Sequence, residues 1–234
     1  KRVSQELGGK SANIILSDAE FEKSIRAGVD SCMSNTGQSC NAPTRMLVPE
    51  ARKDDAYAIA KDAAEKVVVG DPKKDGTTIG PLVSDVHYEK VQNLIQKGID
   101  EGAKLLIGGT GKPQGLEKGY YAKPTIFADV ENDMTISKEE IFGPVLSMIT
   151  YKNIDDAVAI ANDTEYGLAA YVSGESKETL TSIARRLRAG QIHINYGSAG
   201  PDAPFGGFKQ SGNGREKAEW GLEEFLEVKA IMGT

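Results

Sequence analysis

The run Asn13-Ile14-Ile15-Leu16-Ser17-Asp18-Ala19-Glu20-Phe21 decides how the chain folds, because a short apolar segment passes directly into a helix-start signal. Asn13 to Leu16 has the character of a buried strand, and Ser17-Asp18-Ala19-Glu20 fits the S/T-x-x-E capping box. Phe21, Ile25, Val29 and Cys32 then recur at helical spacing, which predicts a helix with Cys32 on its buried stripe. The helix should stop near Asn35-Thr36-Gly37, with Gly37 suited to a left-handed position after the last turn. Arg45-Met46-Leu47-Val48 reads as the next strand, so this region is a strand–helix–strand unit.

The alternation continues outward from that unit. Helices are predicted over 54–68 and 85–101, the second leading into a strand at 104–107. A glycine-rich loop at 108–119 precedes strands at 125–130 and 144–151. A helix at 154–162, a strand at 169–172, a helix at 179–188 and a strand at 191–195 follow. Short apolar strands alternating with longer helices imply an α/β fold: three layers, with a largely parallel sheet covered by helices on both faces. Ligands are then expected at the carboxyl ends of the strands. A short helix about Arg215 to Trp220 leads to the alternating segment Phe225 to Ile231, read as a strand that pairs with another subunit or lies at the edge of the same sheet. The expected organisation is one domain over 1–219 and a C-terminal oligomerisation segment over 220–234.

A net charge of −6 argues against nucleic acid or an anionic membrane surface as the main partner, since both select basic surfaces. Small molecules and other protein chains fit better. No apolar run approaches the ~20 residues that span a bilayer, and the first residues lack a signal-peptide core, so a cytoplasmic location is expected. The two cysteines, Cys32 and Cys40, lack the spacing of a zinc site or a disulfide framework, and both read as thiols.

Cys40 lies beyond the helix in the connection Thr36-Gly37-Gln38-Ser39-Cys40-Asn41-Ala42-Pro43-Thr44-Arg45, where loops commonly present chemical groups. It is the candidate nucleophile, against the ordinary fate of a free cysteine as a small buried hydrophobe. Other motifs fail. Gly9-Lys10-Ser11 lacks the upstream glycine of a P-loop, and Gly37-Gln38-Ser39-Cys40-Asn41 has asparagine where a hydrolase elbow needs glycine.

Four fragments stand together in order: Glu6-Leu7-Gly8-Gly9-Lys10-Ser11, Gly37-Gln38-Ser39-Cys40, Glu139-Glu140-Ile141-Phe142-Gly143-Pro144, and Pro204-Phe205-Gly206-Gly207-Phe208-Lys209-Gln210-Ser211-Gly212. With these fragments the chain resembles the NAD(P)-dependent aldehyde dehydrogenase superfamily from its first residues to its last. The resemblance implies that Cys40 is the nucleophile, with its own backbone N–H as an oxyanion donor, and that Glu6 is the general base. It implies that Glu140 bonds the nicotinamide ribose, that Phe142 packs against the same ribose, and that Leu7 gives a backbone contact to the nicotinamide amide. The cofactor implied is NAD or NADP, the substrate an aldehyde, and the assembly a homodimer or homotetramer through the C-terminal strand.

The resemblance also implies that a cofactor domain precedes residues 1–10, so the isolated chain is expected to be inactive as a dehydrogenase. Two departures from the family pattern are visible: Gln5 stands where an apolar neighbour of the base is usual, and His193 where an aromatic residue is usual. Arg2 and Arg215 are expected to meet Glu227 in a salt-bridge cluster at the subunit interface. Two other functions stay open, a cysteine hydrolase using His87 or His193 as base and a non-catalytic oligomerisation module.

Overall fold

A computed structural model describes residues 1–233. In chain order the elements are β1 (Gln5–Glu6), β2 (Ala12–Ile15), α1 (Phe21–Met33), β3 (Arg45–Pro49), α2 (Lys53–Glu65), α3 (Asp85–Asp100), β4 (Lys104–Ile107) and β5 (Thr125–Ala128). They continue with α4 (Thr135–Lys138), β6 (Val145–Tyr151), α5 (Ile154–Asn162), β7 (Ala169–Ser173), α6 (Lys177–Arg186), β8 (Gln191–Ile194), β9 (Gly212–Asn213) and α7 (Ala218–Glu223). Seven strands form one sheet in the order β4-β5-β6-β3-β2-β7-β8. Every neighbouring pair is parallel except the edge pair β4–β5.

Adjacent residues along the central strands belong to opposite cores, as strand pleating requires. Ile14 and Leu47 pack with Val91 and Ile95 of α3 and Val158 of α5, whereas Ile15, Met46 and Val48 pack with Ile25 and Val29 of α1 and Ala60 of α2. Both faces are thus covered, the condition that a mainly parallel sheet needs. Arg45 is fully buried where β3 begins, yet its guanidinium donates to the carbonyls of Lys10, Ile160 and Ala161. A buried charge satisfied by three carbonyls fixes the start of β3 against the start of β2 and the end of α5. No helix of the described residues is long and apolar enough to cross a membrane.

Three expectations are corrected. The first helix starts at Phe21, not in the capping box: its N-cap is Glu20, whose side chain makes no capping bond and instead holds Lys23 at 2.6 Å. Ser17 stays outside because Leu16 still donates to Ser173 beside the sheet and Ala19 closes a turn onto Leu16. The late helix begins at Ala218 because Glu216 is already paired through its backbone with Phe205. The strand expected over 225–231 does not form in this chain. Those residues join neither sheet, and Val228 is 97% exposed. A strand without a hydrogen-bonding neighbour has no ladder to define it.

Candidate active site

The candidate residues lie at the amino ends of the parallel strands, which corrects the expectation of a carboxyl-end site. Glu6 to Lys10 runs into β2, Cys40 precedes β3 and Glu140 to Phe142 precede β6. Because β2, β3 and β6 are consecutive in the sheet, these three entry segments become neighbours. Two glycines let them touch through their backbones. A side chain at Gly9 would collide with the Cys40 carbonyl, and one at Gly37, which is left-handed at φ 70°, would collide with the Gly143 carbonyl.

Glu6 is placed by the small antiparallel pair β1–β9, in which it faces Gly212. Leu7 N–H donates to the Ser211 carbonyl at 3.1 Å, and the Ser211 hydroxyl donates to the Gly8 carbonyl at 2.7 Å. One carboxylate oxygen of Glu6 is buried without a hydrogen-bond partner among the described residues. Burial raises the Glu6 pKa, the Glu216 carboxylate raises it further, and the Arg215 guanidinium opposes both. The polar neighbour Gln5 does not prevent this, because Gln5 is exposed while Glu6 is half-buried.

Cys40 is half-buried at the end of its turn. Burial raises its pKa first and the Glu6 carboxylate adds to the rise, while the N–H groups of Asn41 and of Cys40 itself favour the thiolate. Cys40 therefore feels the charge of a carboxylate that stands 34 positions away in sequence. Cys32 differs in kind: it is fully buried, its thiol faces the Val145 carbonyl at 3.7 Å, and burial pushes its pKa up to about 12. Such a thiol is a packing element.

Glu140 accepts the Gly9 N–H at 2.8 Å through one oxygen, which sets its carboxylate beside Gly8. Phe142 is half-buried and left-handed at φ 58°. Leu7 is exposed, and with its N–H committed to Ser211 its carbonyl is the group offered to an amide donor. The Leu7 carbonyl and the Glu140 carboxylate are acceptors suited to a carboxamide and a diol, and the unpartnered buried oxygen of Glu6 is left free to take a proton.

Neither histidine serves Cys40. His87 Nε2 lies 2.6 Å from the Phe142 carbonyl, and His193 Nδ1 lies 2.9 Å from the Gly197 carbonyl. His193 stacks on Tyr171 with centroids 4.7 Å apart, and the Tyr171 hydroxyl donates to the Asn41 carbonyl at 3.0 Å, so His193 packs behind the nucleophile loop. The expected cluster of Arg2 and Arg215 with Glu227 is also absent among the described residues. Arg2 donates to the Leu226 carbonyl, and Arg215 is drawn inward to the carbonyls of Gly207 and Gly214.

Reasoning from the sequence missed Glu216, which reaches Glu6 only because β1 and β9 pair across more than 200 residues. His87 was read only as the base of a possible hydrolase, and its contact with the Phe142 carbonyl was missed, although a signal existed: His87 sits four residues before Val91 on the apolar stripe of α3. A polar residue on such a stripe asks for a partner.

A doubly wound α/β domain whose strand-entry loops gather a thiol and a desolvated carboxylate belongs to the class of thiol-bearing enzyme domains. The chain belongs to the aldehyde dehydrogenase family, whose model matches residues 1–231. It is 55% identical over its whole length to a putative aldehyde dehydrogenase of Staphylococcus haemolyticus, of which it covers 49%. A solved cysteine-to-alanine mutant of aldehyde dehydrogenase C from Pseudomonas syringae, complexed with NAD+ and octanal, is 54% identical with a TM-score of 0.97 over 99% of this chain and 48% of that one. An aldehyde dehydrogenase from Bartonella henselae is 52% identical with a TM-score of 0.96 over the same share of this chain. The chain thus spans about half the length of the curated relatives it matches.

Proposed function

We propose that this chain supplies the catalytic half of an NAD- or NADP-dependent aldehyde dehydrogenase, with the nucleotide-binding half provided by the rest of the enzyme. The observation that carries the reading is the pairing of Cys40 with Glu6: one charge environment, one unpartnered carboxylate oxygen, and no histidine on the sulfur.

Burial and the charge of Glu6 disfavour the Cys40 thiolate, so as sulfur attacks the aldehyde carbonyl its proton passes to solvent water at this half-exposed position. The product is a thiohemiacetal on Cys40, with the N–H of Cys40 as one donor to its oxyanion. A bound nicotinamide would supply the hydride acceptor needed for this adduct to become a thioester. Glu6, made a stronger base by burial, then removes a proton from the water that cleaves the thioester, releasing the carboxylic acid and restoring the thiol. Glu140, Phe142 and the Leu7 carbonyl are the groups that would hold a nicotinamide riboside. The assembly we propose is a homodimer or homotetramer in which the C-terminal segment meets another copy.

In the complete enzyme, Cys40→Ala should abolish aldehyde oxidation, whereas Cys32→Ala should retain activity and lose about 1 kcal/mol of stability. Glu6→Gln should give a single burst of reduced cofactor, about one per active site, followed by slow turnover, because the thioester forms but is not hydrolysed. Full steady-state turnover by Glu6→Gln, measured by rapid-mixing absorbance, would remove Glu6 from the role.

A further inference from the structure

Two side chains of α3 reach the backbone of the segment that carries Glu140 and Phe142. His87 Nε2 is 2.6 Å from the Phe142 carbonyl, and its ring meets the Phe142 ring edge-on with centroids 5.9 Å apart. Since a carbonyl only accepts, the hydrogen bond assigns the proton to Nε2. Lys90 Nζ donates to the Glu140 carbonyl at 2.9 Å. Positions 87 and 90 are three apart on a helix, so they share a face. Val91, beside them, packs on Gly143 so closely that a side chain there would not fit.

What this face grips is a conformationally costly turn. Phe142 is left-handed at φ 58°, a region that a bulky residue occupies only when its surroundings impose it. The grip is itself anchored. Ser84 caps α3 by accepting the His87 N–H at 3.2 Å, and Gln38, two residues from Cys40, accepts the Val83 N–H at 2.9 Å. The start of α3 therefore ties the nucleophile loop to the Glu140–Phe142 turn.

We infer that α3 is a clamp for the cofactor subsite, with His87 and Lys90 as positioning residues that hold the Phe142 and Glu140 carbonyls and so aim those side chains at the nicotinamide ribose. The inference rests on the reading of Glu140 and Phe142 given above. Neither clamp residue is required to touch the cofactor. Loss of either bond frees the turn to leave its left-handed conformation, and cofactor affinity falls before chemistry does.

The test measures NAD+ dissociation constants by calorimetry, together with kcat and KM, in the complete enzyme. His87→Phe keeps the ring contact and removes the donor, Lys90→Met keeps the stem and removes the ammonium, and His87→Gln places an amide donor at similar reach. His87→Phe combined with Lys90→Met should weaken NAD+ binding about tenfold, as expected for two lost hydrogen bonds, with KM for NAD+ rising more than kcat falls. His87→Gln should recover most of the loss due to His87→Phe, and melting temperatures identify any variant that fails to fold. Glu140→Gln tests the underlying reading separately. If Glu140→Gln weakens binding while both clamp variants bind as wild type, the clamp is wrong and the subsite stands. If Glu140→Gln binds as wild type, the subsite reading fails and the clamp with it.

Discussion

Lys10 shows how far a single residue can depart from its solution behaviour in this fold. It is 2% exposed at the entry to β2, and its ammonium has no hydrogen-bond partner among the described residues. Burial lowers its pKa to about 7, the Arg45 guanidinium lowers it too, and Cys32, Glu140 and Glu139 oppose them. The unfolded chain keeps an ordinary lysine that holds its proton up to 10.5, so between about 7 and 10.5 the unfolded state binds more protons than the folded one. Stability must then rise with pH through that window, and the gain is lost again as pH falls towards 7. The slope due to this one group approaches about 1.4 kcal/mol per pH unit. Lys10→Met should remove that slope. Urea unfolding of both proteins at pH 7 and pH 9 checks this: wild type should gain stability relative to the variant at the higher pH, and a constant difference between them would show that Lys10 titrates as an ordinary lysine.

At the scale of elements, helix starts separate what is written locally from what the fold imposes. Ser84, Asn153 and Ser176 each cap a helix by accepting an N–H three residues on, but Ser17, within a better sequence signature, caps nothing. Ser84→Ala should therefore cost about 1 kcal/mol. Ser17→Ala should stay within about 0.5 kcal/mol, as surface substitutions do. Denaturant midpoints of the two variants distinguish these, and equal losses would mean that Ser17 does cap α1.

The strand and helix alternation was legible because hydrophobic period is a local property, and the same period separated Cys32, on the stripe of α1, from Cys40 beyond it. Strand order was not legible, and strand order is what turns three entry loops into neighbours at the amino ends of β2, β3 and β6. The pair β1–β9 is shorter still, two residues on each side, too little to leave a pattern, although it sets the surroundings of Glu6. Cys40 and Glu6 were found through motifs whose order resembles a family, and their mutual electrostatics needed the fold.

For the whole molecule the C-terminal segment is the surface that stands out. Phe225, Val228, Ile231 and Met232 are 87%, 97%, 82% and 87% exposed, a concentration of apolar surface that a soluble monomer seldom leaves bare. The backbone beyond Leu226 joins neither sheet, an uncovered edge of the kind that pairs with another strand. Phe225 and Leu226 donate back to the carbonyls of Leu222 and Glu223, and Arg2 donates to the Leu226 carbonyl, which holds the segment near the first residues without burying it. The assembly proposed above would place a second copy of the chain on this segment. Val228→Lys with Ile231→Lys should shift the complete enzyme towards monomer in sedimentation velocity, because two charges would have to be buried at that contact. Glu227, exposed and unpaired among the described residues, gives the complementary measurement: Glu227→Lys should leave the melting temperature of this chain unchanged and weaken the assembly, if a cation of the neighbouring copy faces it. An unchanged sedimentation coefficient in the double-lysine variant would place the subunit contact elsewhere on the molecule.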